Sequence, residues 1–222
     1  MSPPDASVVL ARMNDYLKGR TMLAEMTEVE GANPYRVLIA TVLSARLRDE
    51  VAKSVTNKLF EELPTPEAQR DAPVELLEEL LHSSGFYRTK ARYVKEIARI
   101  IADELGGKVP ETLEGLVELP GVGRKVANCV LVYAFGKQAI PVDTHVHRIS
   151  NRLGLVDTKT PEQTEAALAE VVPRKLWPIL NETFVRWGKQ VCKPVNPLCD
   201  QCVLEDVCEK RIVHRPRKKA AN

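Results

Sequence analysis

The chain has 222 residues, 44% hydrophobic and 28% charged, with a formal net charge of +2. That length supports a sizeable core and one domain or two small ones, and the balance is that of a globular protein rather than a disordered or fibrous one. No stretch approaches the roughly 20 apolar residues of a membrane span, and Met1-Ser2-Pro3-Pro4-Asp5 lacks a basic segment followed by an apolar one, so a cytoplasmic protein without a secretion signal is expected.

In chain order, residues 7–28 carry apolar side chains at helical spacing and read as one or two helices. Asn33-Pro34 is a helix start, with a cap residue before a proline. The following helix, Tyr35 to about Arg46, is apolar nearly all round (Val37-Leu38-Ile39-Ala40-Thr41-Val42-Leu43) and is expected to be central. It ends in the polar break Ser44-Ala45-Arg46-Leu47-Arg48-Asp49, before a helix over residues 50–62. Pro64-Thr65-Pro66 breaks the chain; a short acidic helix is expected over 73–82, a turn at Ser83-Ser84-Gly85-Phe86-Tyr87, and a long basic helix over 89–105 ending at Gly106-Gly107. A short helix from Val109-Pro110 to Leu119 leads to a glycine turn and a helix closed by Gly136. Helices are further expected over 146–153, from Thr160-Pro161 to about Val171, and after Pro173, where Trp177, Phe184 and Trp187 have the spacing of core residues. No alternating strand pattern of useful length occurs, so the expected class is all-α.

Charge is segregated. Residues 61–80 hold seven acidic side chains against Arg70 alone, whereas 85–99 hold Arg88, Lys90, Arg92, Lys95 and Arg99 against Glu96. Such runs build either one basic and one acidic face or ordinary solvated helix surfaces.

Residues 119–125, Leu-Pro-Gly-Val-Gly-Arg-Lys, form the stretch around which the chain is organised. Gly121 and Gly123 allow a tight bend, and the helix beginning at Arg124 starts on a bare glycine turn suited to an anion such as a phosphate. Lys125 falls in the first turn, where the helix dipole and Arg124 disfavour its ammonium form; it is either a nucleophile or a solvated lysine. In Pro141-Val142-Asp143-Thr144-His145, Asp143 precedes a helix, as an N-cap, as a functional carboxylate near Lys125, or as both.

Cys192, Cys199, Cys202 and Cys208 have the spacing C-x6-C-x2-C-x5-C. Without a secretion signal, disulfides are not expected. Clustered thiolates need a cation to offset their repulsion, so the loop reads as a metal site. Zinc favours two C-x2-C knuckles, but only one is present, which leans toward an iron–sulfur cube. Cys129, inside an apolar run, reads as core.

These motifs together resemble the endonuclease III family of DNA glycosylases, in the helix-hairpin-helix superfamily. The resemblance rests on Leu43-Ser44-Ala45, Leu119–Lys125, Val142–His145 and the four-cysteine loop, in that order, and spans roughly residues 8–210. It implies a two-lobed fold: a six-helix barrel over 27–137 containing the hairpin, and a helical domain of 1–26 with 138–212 holding a 4Fe–4S cluster on Cys192, Cys199, Cys202 and Cys208. A basic tail, 213–222, would extend beyond. DNA would bind in the cleft between the lobes.

The resemblance also implies that Lys125 is the nucleophile and Asp143 the catalytic carboxylate, and that Gly121, Gly123, Arg124, His145 and Lys193 contact DNA. The implied substrate is double-stranded DNA with oxidised pyrimidines or abasic sites, acted on by a monomer, nucleoid-associated in a prokaryote. Arg46 replaces a glutamine common in relatives and Phe86 a leucine; both fall where relatives fill the gap left by the extruded base or contact its orphaned partner. Members that only remove a base, such as mismatch and adenine glycosylases, lack a lysine at the position of Lys125. A monofunctional glycosylase and a non-catalytic module binding unusual DNA structures are the alternatives.

Overall fold

The structure is a computed structural model that describes residues 4–29 and 33–211. Twelve α-helices form, and no strand occurs among the described residues. They are α1 (Ala6–Tyr16), α2 (Met22–Val29), α3 (Pro34–Ser44), α4 (Asp49–Glu62), α5 (Pro66–Asp71), α6 (Val74–Leu80), α7 (Tyr87–Arg99), α8 (Leu113–Val117), α9 (Arg124–Phe135), α10 (Thr144–Leu153), α11 (Pro161–Val171) and α12 (Trp177–Gln190). The all-α expectation is met.

Side chains set half of the helix starts. Asp5, Asn33, Thr65, Thr112, Asp143 and Thr160 each accept a backbone N–H from the first turn of α1, α3, α5, α8, α10 and α11, satisfying donors that have no partner inside the helix. Pro34, Pro66 and Pro161 follow the cap, where a missing N–H costs nothing.

Some expected bounds shift. Residues 7–28 are two helices. Helix α5 was not expected: Thr65-Pro66 is a start signal of the same kind as Asn33-Pro34, not only a break. Helix α8 begins at the Thr112 cap rather than at Pro110, and α7 continues past Arg99 as a π-helical turn, Ile100–Glu104.

Contacts divide the chain into two units. One comprises residues 18–141 with 174–182, the other 1–17 with 142–173 and 183–222; residues 18–26, 138–141 and 174–182 thus group with the hairpin. Within the first unit α3 is central: Val37 to Leu43 are all buried, with Leu38, Ile39 and Leu43 fully so. Each such side chain contributes roughly 2 kcal/mol relative to exposure. Helix α3 packs on α9, α4 and α7, so the helix that carries Lys125 rests on the most buried helix of this unit.

In the second unit Val9, Leu10 and Met13 of α1 and Val146, Ile149 and Leu153 of α10 are buried. Phe184 and Trp187 are buried too, and Trp187 meets Tyr16 edge to face at 5.5 Å, so these two aromatics are core. Trp177 is only half-buried, with the Arg174 guanidinium 5.2 Å from its ring.

The basic run over 85–99 is largely consumed inside its own unit and makes no uniform basic face. Arg88 pairs with Glu78, Arg99 with Glu96 and Glu104, and Lys95 donates to the carbonyls of Arg70 and Ala72; Lys90 is buried. At the other end, Lys210 pairs with Glu205, and Arg211 with Glu209 and Asp157. The basic tail 213–222 lies outside the described residues.

Candidate functional site

In the first unit the turn after α8 is held by backbone bonds from Leu119 N–H to the Leu116 carbonyl and from Val122 N–H to the Leu119 carbonyl. Val122 is buried and anchors the turn, while Gly121 and Gly123 on either side are exposed. Gly121 has φ +75°, and a Cβ there would lie 2.4 Å from Cδ2 of Tyr93, so both backbone angle and space demand glycine. Gly123 differs. Its φ is −86°, open to any residue, and a Cβ would meet nothing within 4 Å. It is the N-cap of α9, with no side chain capping the helix, and its carbonyl accepts the Ala127 N–H at 3.0 Å. Arg124 and Lys125 follow in the first turn, Arg124 exposed and Lys125 half-buried.

The same unit brings Arg46 and Phe86 together. Both have φ near +60°, the left-handed region that side chains normally avoid. Phe86 is 66% exposed, and the Arg46 guanidinium lies 5.5 Å from the centre of its ring. Beneath them Lys90 is buried and donates to the carbonyls of Leu43 at 2.8 Å and Ala45 at 3.1 Å.

In the second unit Asp143 caps α10, and its Oδ1 accepts the N–H groups of His145 and Val146, both at 2.8 Å. Oδ2 takes no part in those bonds, so the cap leaves one carboxylate oxygen for other work. Two residues on, His145 is half-buried against α12: a Cβ on Gly188 would fall 2.1 Å from its Nδ1, so Gly188 makes room for the ring. Arg148 reaches the same Nδ1 at 3.2 Å and donates to the Cys192 carbonyl at 2.9 Å. Burial, first of all, lowers its pKa.

Arg152 is buried and donates to the carbonyls of Lys193 at 2.7 Å and Pro194 at 2.9 Å. Two arginines of α10 thus hold the start of the cysteine loop, leaving the Lys193 side chain exposed. Sequence reading did not single out Lys90, Arg148, Arg152 or Gly188. Their partners are backbone carbonyls or a distant ring, and no local motif marks such contacts.

Cys192, Cys199, Cys202 and Cys208 are free thiols that line one pocket with Arg152, Trp187 and Leu198. Among the described residues no three Cys, His, Asp or Glu side chains are arranged to hold a single metal ion. Four thiols lining one pocket fit a multi-iron group with one thiolate per iron. Burial, with the neighbouring sulfurs adding to it, pushes the Cys202 and Cys208 thiols up; a cationic group in the pocket would reverse that.

A glycine hairpin with a first-turn lysine, an all-helical fold and a four-thiol loop define a helix-hairpin-helix DNA glycosylase. Residues 39–174 match the family model described as the HhH-GPD superfamily base excision DNA repair protein, and residues 192–208, beginning and ending on cysteine, match the iron–sulfur binding domain of endonuclease III. The chain is 52% identical to endonuclease III of Thermotoga maritima over 177 residues, covering 80% of this chain and 83% of that one. It is 37% identical to endonuclease III of Escherichia coli over 183 residues, covering 82% and 87%. Among solved structures, a trapped endonuclease III–DNA covalent intermediate superposes with a TM-score of 0.78 at 35% identity, covering 92% of this chain and 95% of that one.

The chain belongs to the endonuclease III family. It is a DNA glycosylase and AP lyase of base excision repair, and its cofactor is a 4Fe–4S cluster.

Proposed function

We propose that the enzyme removes oxidised pyrimidines from double-stranded DNA and nicks the resulting abasic strand, with Lys125 as nucleophile and Asp143 as the assisting carboxylate. The observation that carries this reading is the start of α9: a first-turn lysine follows Gly123, a position with no side-chain cap and with open space where a Cβ would stand. Nothing in the protein itself requires glycine there, whereas a phosphate approaching the backbone would.

The neutral Lys125 amine attacks C1′ of the extruded nucleotide. The C1′–N bond breaks, the base leaves with the electron pair and takes up a proton, and the amine loses one. Opening of the sugar ring gives a Schiff base between Nζ and C1′. Loss of a C2′ proton then expels the 3′ phosphate oxygen and cuts the strand. The second oxygen of Asp143 stabilises positive charge on the sugar and assists proton transfer. Gly121 and Gly123 present the turn to a backbone phosphate, beside Arg124. His145 and Lys193 add DNA contacts, and Arg46 and Phe86 occupy the space left by the extruded base. Cys192, Cys199, Cys202 and Cys208 would hold the cluster, which would tie together four points of the loop carrying Lys193. The enzyme acts as a monomer on chromosomal DNA.

Borohydride trapping with thymine-glycol DNA tests the assignment. The expected result is a covalent adduct with the wild-type enzyme and none with Lys125→Ala. An adduct that survives Lys125→Ala moves the nucleophile elsewhere, and excision without any adduct favours a monofunctional glycosylase.

A further inference from the structure

Lys90 is 5% exposed and makes no ion pair with a carboxylate among the described residues. Burying an ammonium without a countercharge is costly, and an apolar side chain of similar length would fill the same volume. What Lys90 holds is specific. Its Nζ donates to the carbonyls of Leu43 and Ala45, at the C-terminal end of α3, on the residues just ahead of Arg46. Its own backbone N–H closes on the Phe86 carbonyl at 3.0 Å, the first turn of α7. That bond is the ordinary helix bond of any residue at this place, so it is the Lys90 side chain that ties the helix turn beginning at Phe86 to the segment carrying Arg46. The side chains of Arg46 and Phe86, both at positive φ, stack on each other.

A cation at the negative end of α3 is favourable in its own right, so capping alone explains the bonds to these carbonyls. It does not explain why the cap comes from the helix turn that carries Phe86. Left-handed backbone at a bulky residue costs of order 1–3 kcal/mol and persists only where the surroundings hold it.

We propose that Lys90 is a positioning residue that clamps the Arg46 and Phe86 segments into one preformed wedge, so that the two side chains enter the base stack as a unit when the damaged base is extruded. The inference rests on the proposed function, because the wedge has a task only if a base leaves the stack. Extrusion demands the wedge and an abasic site has no base to extrude, so Lys90 separates the two activities.

The test is single-turnover excision from thymine-glycol DNA set against nicking of DNA with a preformed abasic site. Misplacing the wedge by about an ångström in Lys90→Met is expected to slow base excision by roughly 10- to 100-fold, with nicking within about threefold of wild type. In a background with both Arg46→Gly and Phe86→Gly the added effect of Lys90→Met on excision should vanish, since there is then no wedge to hold.

Equal losses of excision and nicking, or an effect of Lys90→Met that multiplies with that of the Arg46→Gly, Phe86→Gly pair, overturn the proposal in favour of a purely structural cap. Lys90→Gln keeps one amide donor and serves where Lys90→Met does not fold; failure of both to fold also overturns it. Wild-type protein that neither excises nor yields a trapped adduct fails the proposed function instead, before Lys90 is touched.

Discussion

In the hairpin unit, Gly121 and the Arg46–Phe86 pair use left-handed backbone in opposite ways. At Gly121 the chain turns at φ +75° with glycine, so the bend is unstrained and the Tyr93 ring packs where a Cβ would be. At Arg46 and Phe86 the chain turns at φ near +60° with two large, exposed side chains stacked on each other. Glycine stands where the fold needs a bend. Bulk at the same angle stands at Arg46 and Phe86, next to the buried Lys90, and the proposed DNA role of the pair rests on that difference.

The comparison breaks first at Gly121. Gly121→Ala adds left-handed strain of roughly 1–2 kcal/mol and drives a methyl group into the Tyr93 ring at about 1–3 kcal/mol more. The expected loss of about 2–5 kcal/mol lowers the melting temperature by roughly 4–20 °C in a chain of this size. A thermal melt in the cluster-loaded state reads it. An unchanged melt would mean that the turn relaxes freely and that glycine is not architectural there.

Gly123→Ala sharpens the contrast within the same turn. Its angles suit any residue and its surroundings are open, so stability should change by no more than about 1 kcal/mol, the usual cost of alanine at an N-cap. DNA affinity should fall about tenfold or more, because the methyl group faces the space assigned to a phosphate. Titration of an undamaged duplex by fluorescence anisotropy measures this. Unaltered affinity would remove the turn from the DNA contact.

The sequence shows these two glycines as equals, and that is where reading it stops. Pattern and capping rules are local, so α3, the hairpin, the Asp143 cap and the cysteine loop were all legible: Asn33-Pro34, Gly121-Val122-Gly123 and C-x6-C-x2-C-x5-C each fix structure within a few residues. The same rule applied to Thr65-Pro66 would have found α5. What stayed hidden depends on distant partners. Tyr93, 28 residues before Gly121, decides that glycine, and nothing near Gly123 does. Lys90 looked like one cation in a basic run, yet its hydrogen bonds run to carbonyls 45 and 47 residues away. Arg148 and Arg152 belong to no motif, yet they grip the backbone of Cys192, Lys193 and Pro194. A buried cation bound to a carbonyl leaves no trace in spacing or composition.

The smallest effect on stability should come from Phe86→Gly, the substitution that would seem the more drastic by size. Glycine relieves left-handed strain of roughly 1–2 kcal/mol. Against that stand a partly exposed cation–π contact of about 0.5–1 kcal/mol and the burial of only about a third of the ring. The terms nearly cancel, so the melting temperature should stay within roughly 3 °C of wild type, while excision of an oxidised pyrimidine slows by about tenfold or more. The contrast with Gly121→Ala is then complete: the larger change in side chain leaves the fold alone and removes activity, and the smaller one disturbs the fold. A large drop in melting temperature for Phe86→Gly with excision per folded molecule intact would reverse the assignment. The Arg46–Phe86 stack would then be architecture, and the strain at both residues would be balanced by packing instead of serving DNA.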